Sequence, residues 1–159
     1  MIDAERRAVR PPKMGGVMTS KYFGLKRINY LAVLVSAIAG MVLGGIWYSP
    51  GVFGAKWMAA AGLTTPPEGS MMRAYAMGFI VALVVAFCLA LVIDWVKGES
   101  WRCGVVVAIV CWLGFAATVR ADNVIFGGRP IGLFWIDGGY DLVSYIVMGA
   151  IIGSRLKRA

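Results

Sequence analysis

The sequence predicts an all-α membrane protein with four transmembrane helices. Of its 159 residues, 60% are hydrophobic and only 15% are charged, whereas soluble domains carry about a quarter charged residues. Four apolar stretches of about twenty residues occur along the chain, and this is the length that a helix needs to cross a bilayer. Little sequence is left over for a soluble domain, so we expect one membrane domain with short tails.

A basic tail of 27 residues precedes the first apolar stretch. It contains seven lysines and arginines and a Pro-Pro pair, a composition typical of disordered, solvated segments. Met1, Met14 and Met18 are all candidate start residues. For that reason no functional prediction rests on this tail.

Polar or aromatic residues end each of the four apolar stretches. We predict helices over residues 28–48, 71–93, 103–119 and 133–153, within a transmembrane domain of residues 28–154. The first helix ends at Trp47, Tyr48 and Pro50, and the second at Asp94, Trp95 and Lys97. The third ends at Arg120 and Asp122, and the fourth at the basic C-terminus 155–159, which contains Arg155, Lys157 and Arg158.

The first stretch has a competing interpretation as a cleaved signal peptide, because a basic region precedes it. Its apolar core is longer than the usual 7 to 15 residues of such peptides, and no small-x-small cleavage site follows directly. We therefore interpret it as a membrane anchor.

The distribution of basic residues predicts the orientation of the helices. The tail, the loop with Lys97 and Arg102, and the C-terminus together hold twelve of the sixteen lysines and arginines. The other four, Lys56, Arg73, Arg120 and Arg129, fall on the opposite side. Because cytoplasmic loops carry the excess of basic residues, we expect both termini in the cytoplasm.

The segment that closes the first helix, "GGIWYSPGVFGAKWM" at residues 44–58, has the composition of an interfacial stop. Aromatic residues are enriched at headgroup level, proline ends a helix, and a lysine there extends toward water. An echo, "VIFGGRP" at residues 124–130, aligns residues 125–129 with 52–56, and either an internal repeat or convergent turn chemistry explains it. The predicted interfacial anchors are Trp47, Tyr48, Pro50, Phe53, Lys56, Trp57, Phe126 and Arg129.

Small residues recur at four-residue spacing on three of the predicted helices. Such ridges allow helix backbones to approach closely inside a membrane. Packing within the chain and packing against partners both remain open. The predicted helix-packing residues are Ser36, Gly40, Gly44, Gly78, Ala82, Gly149 and Gly153.

Polar residues gather at the predicted outer end of the last two helices. Asp137 and Asp141 lie one helical turn apart, where two carboxylates repel each other unless a cation or a proton intervenes. Arg120 is on the same side and is a candidate partner. A structural ion pair and a working site are both open interpretations, since ionisable residues within membranes are often functional. The candidate site comprises Arg120, Asp122, Asn123, Asp137, Tyr140 and Asp141.

No pattern of catalytic or metal-binding residues is present, so we expect no enzyme activity. The chain has no histidine, which argues against haem or bacteriochlorophyll held by that residue and against common zinc sites. The three cysteines have no metal-binding spacing. No cofactor is predicted, although a lipid, a quinone or a carotenoid needs no such ligand. The basic residues lie at the ends of apolar stretches, which excludes a nucleic-acid surface.

Two segments resemble one known family. "NYLAVLVSAIAGMVLGGIWYSPGVFGAKWM" (29–58) and "WLGFAATVRADNVIFGGRPIGLFWIDGGYDLVSYIVMGAIIGS" (112–154) are similar to the membrane family called domain of unknown function 1761. The resemblance covers everything except the tail and implies four transmembrane helices in a bacterial inner membrane. It implies no activity. A histidine is frequent in that family where Asp141 stands here, so the resemblance assigns no mechanism to this position.

Three functions follow from these observations. We expect an accessory or scaffold subunit that packs against copies of itself or a larger membrane complex through its glycine-rich faces. The alternative is a small dimeric transporter or channel with an outward-facing Arg/Asp site. A further alternative is a lipid, quinone or carotenoid binder. Membrane lipids are expected partners in each case.

Overall fold

A computed structural model describes residues 28–64 and 71–155. In these two ranges the regular structure is entirely helical, and four helices are long and apolar enough to cross a membrane. The predicted all-α fold with four such helices is therefore confirmed. The predictions for the basic tail and for residues 156–159 lie outside the described residues, and the cytoplasmic location of the termini stays a prediction.

Five α-helices follow one another in the described chain. A π-helical turn, Pro50–Gly54, stands between the first two, and a π-helical segment, Trp112–Ala117, interrupts the fourth. The helices are α1 Tyr30–Trp47, α2 Ala55–Ala60, α3 Met71–Trp95, α4 Trp101–Ile125 and α5 Ile131–Arg155.

Side chains cap two of the long helices, as their sequences favour. The Asn29 side chain accepts a hydrogen bond from the Ala32 amide at the start of α1, and Ser100 does the same for Cys103 at the start of α4. Each cap satisfies one of the backbone N–H groups that have no partner within the first turn.

The predicted end of the third transmembrane helix was wrong. We expected it to end at Val119, but α4 continues to Ile125, so Arg120 and its polar neighbours lie on the helix. Polar side chains alone do not break a helix. The break comes at Gly128, whose φ of 63° places it in the left-handed region that glycine tolerates best.

Helix α5 has the most extensive contacts in the bundle and packs against α1, α3 and α4. Its closest approach is to α4 near Gly104. A Cβ atom on Gly104 would overlap the Gly149 carbonyl, and one on Gly153 would lie 2.6 Å from the Ser100 carbonyl oxygen. Only residues without a side chain allow the two backbones to lie this close.

The predicted small-residue ridges all face other helices of the same chain. Gly40 faces Ser144 and Met148, Gly44 faces the Tyr140 ring, and Gly78 faces Met41. Ser36 and Ala82 are also buried. Packing within the chain therefore accounts for these ridges.

The turn after α1 forms for the reasons that the sequence suggests. Ser49, which precedes proline, is extended, with φ of −66° and ψ of 150°. Gly54 then lies so close to the chain before it that a Cβ atom would meet the Tyr48 and Ser49 carbonyl groups. The chain folds back into α2, which packs against α5.

The echo at residues 124–130 has a different structure. The first copy, residues 52–56, is helical and leads into α2, whereas the second spans the end of α4 and the turn at Gly128. The two segments share composition, but only the first continues as a helix. The structure therefore favours convergent turn chemistry over an internal repeat.

Candidate functional site

A charged cluster joins α4 and α5 at the Tyr48 end of the bundle. The Arg120 guanidinium donates a hydrogen bond from Nε to Asp141 Oδ2. Its Nη1 atom lies 3.5 Å from Asp137 Oδ2, so the same side chain forms ion pairs with both carboxylates. The structure thus brings together the three residues on which the sequence prediction depended.

The local structure of both helices explains this meeting. Asp137 and Asp141 are four residues apart on α5, so both side chains lie on one face. In α4, the π-helical segment ends three residues before Arg120. A π-helical turn contains an additional residue and rotates the residues after it; such turns are frequent at functional sites. Trp112, at the start of this segment, donates its indole N–H to the Gly138 carbonyl at 3.1 Å, which holds α4 against α5.

Tyr48 is a member of the cluster that the sequence analysis did not assign to it. Its hydroxyl donates to Asp137 Oδ1 at 2.8 Å, so the chain after α1 is joined to the same carboxylate. Burial raises the pKa of Tyr48 above its ordinary value, and the hydrogen bond to Asp137 and the negative charge of that residue raise it further. The phenol is therefore a stable hydrogen-bond donor at neutral pH.

The predicted headgroup anchors Trp47 and Tyr48 make hydrogen bonds within the bundle, and their position at headgroup level stays a prediction. Trp47 donates its indole N–H to the Ile136 carbonyl at 3.0 Å, so both side chains are directed toward α5. Phe53 and Trp57 pack on them, with ring centroids 4.7 Å and 5.9 Å away. The physical reason is that a buried indole or phenol gains a hydrogen-bond partner on α5 while its ring stays in apolar surroundings.

The other predicted anchors lie at the surface of this end. Pro50, Lys56 and Arg129 are exposed, and Phe126 is 85% exposed. An exposed aromatic ring beside a helix end is the arrangement expected for contact with lipid headgroups.

Tyr140 and Asp122 do not join the charged groups. The Tyr140 hydroxyl donates to the Gly40 carbonyl at 3.2 Å, toward α1, although its ring lies 5.3 Å from that of Tyr48. Asp122 is exposed on α4. The Asn123 amide donates to the Val119 carbonyl of its own helix.

A cavity of about 180 Å³ opens beside the cluster. At about 30 Å³ per molecule, this is space for roughly six waters. Its lining mixes apolar walls with one carboxylate, two guanidinium groups and an amide: Arg120, Asn123, Val124, Arg129, Leu133, Phe134 and Asp137. Sequence reasoning did not anticipate the apolar walls, because they come from residues with no chemical signature of their own.

The cluster has an unequal number of charges. Arg120 is 32% exposed and each aspartate side chain is 18% exposed, so all three are largely shielded from water. Within the described ranges, Arg129 forms no ion pair with these carboxylates. Two ionised aspartates beside one arginine leave one negative charge, which a bound cation or proton can compensate.

The described residues contain no group of three or more side chains of the kinds that usually hold a metal ion. The cluster offers two carboxylates, one phenol and one guanidinium. The two carboxylates can bind a proton or a monovalent cation without a dedicated metal cage, whereas the guanidinium keeps its positive charge.

Comparison with known families identifies the family of this chain. A family model described as "Protein of unknown function (DUF1761)" matches residues 31–153. The chain belongs to this family. The resemblance seen in the sequence is thereby confirmed. No curated protein and no solved structure gives a match.

Proposed function

We propose that this DUF1761 protein is a small membrane transporter or channel in which Asp137 and Asp141, paired with Arg120, bind a proton or another monovalent cation. The observation that carries the proposal is the single guanidinium shared by two carboxylates inside an apolar helix bundle. Ionisable groups are costly in that environment and commonly mark ion pathways.

The position of the cluster supports access from one side. Asp137 and Arg120 line the cavity, and Asn123 and Arg129 line it with them. With the termini in the cytoplasm, as the basic residues predict, this cavity opens to the outer face. A cation then reaches Asp137 first, while Asp141 lies one turn deeper in α5.

Hydroxyl groups continue from the cluster along the contact between α1 and α5. Tyr140 bonds the Gly40 carbonyl, and Ser144 lies close to Gly40. The Ser144 and Ser36 hydroxyls are buried and have no hydrogen-bond partner among the described residues.

The accessory or scaffold role remains a second hypothesis with less support. It rested on small-residue ridges, and those ridges pack against other helices of this chain. A complex would therefore have to use another face. Co-purification of a defined partner in mild detergent would support that role, and recovery of the monomer alone would oppose it. The transporter proposal also includes dimer formation, location in the bacterial inner membrane and the lack of enzyme activity.

Flux measurements in liposomes test the transport function. The purified chain is reconstituted, a proton or potassium gradient is imposed, and its dissipation is followed with an enclosed dye. We expect flux with the wild type and loss of most of it with Asp141→Asn or Asp137→Asn. Asp122→Asn is the matched control, because the same change then falls on an exposed carboxylate of α4.

The comparison between these variants decides the proposal. Wild-type liposomes that hold both gradients as well as empty ones would contradict it. Equal flux with all three aspartate variants would show that the ions do not use the cluster.

A further inference from the structure

Two side chains of opposite charge line the cavity beside the cluster without pairing with each other. Arg129 and Asp137 both border its volume of about 180 Å³. Within residues 28–64 and 71–155, the only ion pair of Asp137 is with Arg120, and Arg129 forms none. The cavity therefore presents a positive group and a negative group to a ligand that enters it.

Backbone contacts in the turn between α4 and α5 hold Arg129 at the mouth of this cavity. The Arg129 amide donates a hydrogen bond to the Asn123 carbonyl oxygen at 3.1 Å, so the chain folds back over the end of α4. Gly127 permits this return, because a Cβ atom there would lie 2.6 Å from the same oxygen. The Arg129 side chain is exposed, so its guanidinium can bind a ligand that arrives from water.

Asp137 can accept a further hydrogen bond. Its Oδ1 accepts the Tyr48 hydroxyl, and its Oδ2 lies 3.5 Å from Arg120 Nη1. A carboxylate offers about four lone-pair positions, so these two contacts leave others for a donor in the cavity. An ammonium group brings such donors, together with the single positive charge that two ionised aspartates beside one arginine lack.

The remaining walls of the cavity suit a short carbon chain. Val124, Leu133 and Phe134 line it, and Leu133 is only 7% exposed. Apolar walls with a few charged groups are typical of small-molecule sites. The volume corresponds to roughly six waters, so a ligand of about six non-hydrogen atoms fits.

We propose that this cavity binds a small zwitterion, with its ammonium group at Asp137 and its carboxylate at Arg129. Guanidinium and carboxylate groups form strong, paired hydrogen bonds. A ligand with only a carboxylate would be repelled by Asp137, and a ligand with only an ammonium group would leave Arg129 uncompensated. This inference rests on the proposed function, because the ammonium group occupies the position that the function assigns to a monovalent cation.

Binding of three related compounds to the full chain in detergent tests the need for both charges. The probes are β-alanine, which carries both groups, propionate, which carries only the carboxylate, and propylamine, which carries only the ammonium group. Saturation-transfer NMR titrations give an affinity for each compound. We expect β-alanine to bind about tenfold or more tightly than either of the others, because each of them loses one charge-assisted contact.

Substitution of Arg129 tests its proposed contact with the carboxylate. Arg129→Gln should lower the affinity for β-alanine about tenfold or more and leave that for propylamine no weaker. Arg129→Lys keeps the charge and should retain part of the affinity. The matched control is Arg73→Gln, at an exposed position of α3 outside the cavity, which should leave the affinity for β-alanine unchanged.

A second pair of variants tests the cavity itself. Val124→Phe places a larger side chain in the wall and should weaken binding of β-alanine. Val119→Phe makes the same change at a 59% exposed position of α4 outside the cavity and should not.

Several results would overturn the proposal. Equal affinities for β-alanine and propionate would make the cavity a plain anion site, and equal affinities for β-alanine and propylamine a plain cation site. Absence of β-alanine binding, or equal effects of Arg129→Gln and Arg73→Gln, would also contradict it. The titrations need no ion gradient, so ion flux in liposomes without β-alanine binding would overturn this inference alone, whereas selective β-alanine binding without flux would support it and contradict only the transport function.

Discussion

Arg120 contacts two carboxylates, and this unequal pairing determines the chemistry of the site. The arginine and one aspartate form a neutral pair. The second aspartate adds a charge, and the described residues around it supply no ion-pair partner besides Arg120. A proton or a cation would restore neutrality, and this is the basis of the proposed transport function.

The charge balance predicts an order of stabilities among variants of the cluster. Arg120→Gln leaves two carboxylates one turn apart and should lower the free energy of unfolding by about 2–4 kcal/mol. Asp137→Asn leaves the neutral pair of Arg120 and Asp141, so its cost should be smaller. Unfolding in mixed detergent micelles measures both. A larger loss with Asp137→Asn than with Arg120→Gln would contradict this charge balance.

Tyr48 offers a test of the hydrogen bond to Asp137. Tyr48→Phe should cost about 1–2 kcal/mol, whereas Tyr75→Phe, at a 55% exposed position, should cost almost nothing. Folding raises the pKa of Tyr48 above its ordinary value of 10.0. The stabilisation from its hydrogen bond is therefore fully present below pH 10.0. It is lost only as the pH rises through the raised value. Equal unfolding free energies for the two variants would show that the bond contributes nothing.

At the scale of the elements, α5 is the helix with the most extensive contacts to the other transmembrane helices. Glycines on α4 and α5 let their backbones touch, and indole groups from Trp47 and Trp112 donate to carbonyls of α5. These contacts fix the rotation of α5. They thereby hold both aspartates toward Arg120.

The contact between α4 and α5 predicts a strong difference between two glycines of the same helix. Gly104→Ala places a Cβ atom on the Gly149 backbone and should lower the free energy of unfolding by about 2–3 kcal/mol. Gly114→Ala projects into open space and should change it by less than about 1 kcal/mol. Similar effects of the two substitutions in a detergent unfolding assay would contradict this close approach.

At the scale of the whole molecule, much of the fold could be predicted because membrane spans have a strong signal in length and hydropathy. The contact of Arg120 with both aspartates could also be predicted from the sequence. The two aspartates are four residues apart on one helix, and Arg120 lies on the same side of the membrane. The direction of the Trp47 and Tyr48 side chains toward α5 could not be predicted. An aromatic residue at a helix end can contact lipid headgroups or donate a hydrogen bond to a buried acceptor. Only the rotation of α1 against α5 decides between these environments.

The topology itself can be tested by labelling single cysteines with a membrane-impermeant maleimide. Cys88, Cys103 and Cys111 are first replaced by alanine. In intact spheroplasts, Thr64→Cys should react, because it lies at the Tyr48 end, and Ser154→Cys should react only in inside-out vesicles. Labelling of both positions from the same side would contradict four spans, and the reverse pattern would contradict the predicted orientation.

The central claim is that the carboxylates around Arg120 hold an exchangeable proton or cation. Infrared difference spectroscopy of the reconstituted protein, recorded while pH or potassium concentration is changed, reads the carboxyl groups directly. We predict a carboxyl band that responds to one of these changes, disappears in Asp137→Asn or Asp141→Asn, and persists in Asp122→Asn. A carboxyl spectrum that responds to neither change, or a response lost only in Asp122→Asn, would contradict the claim.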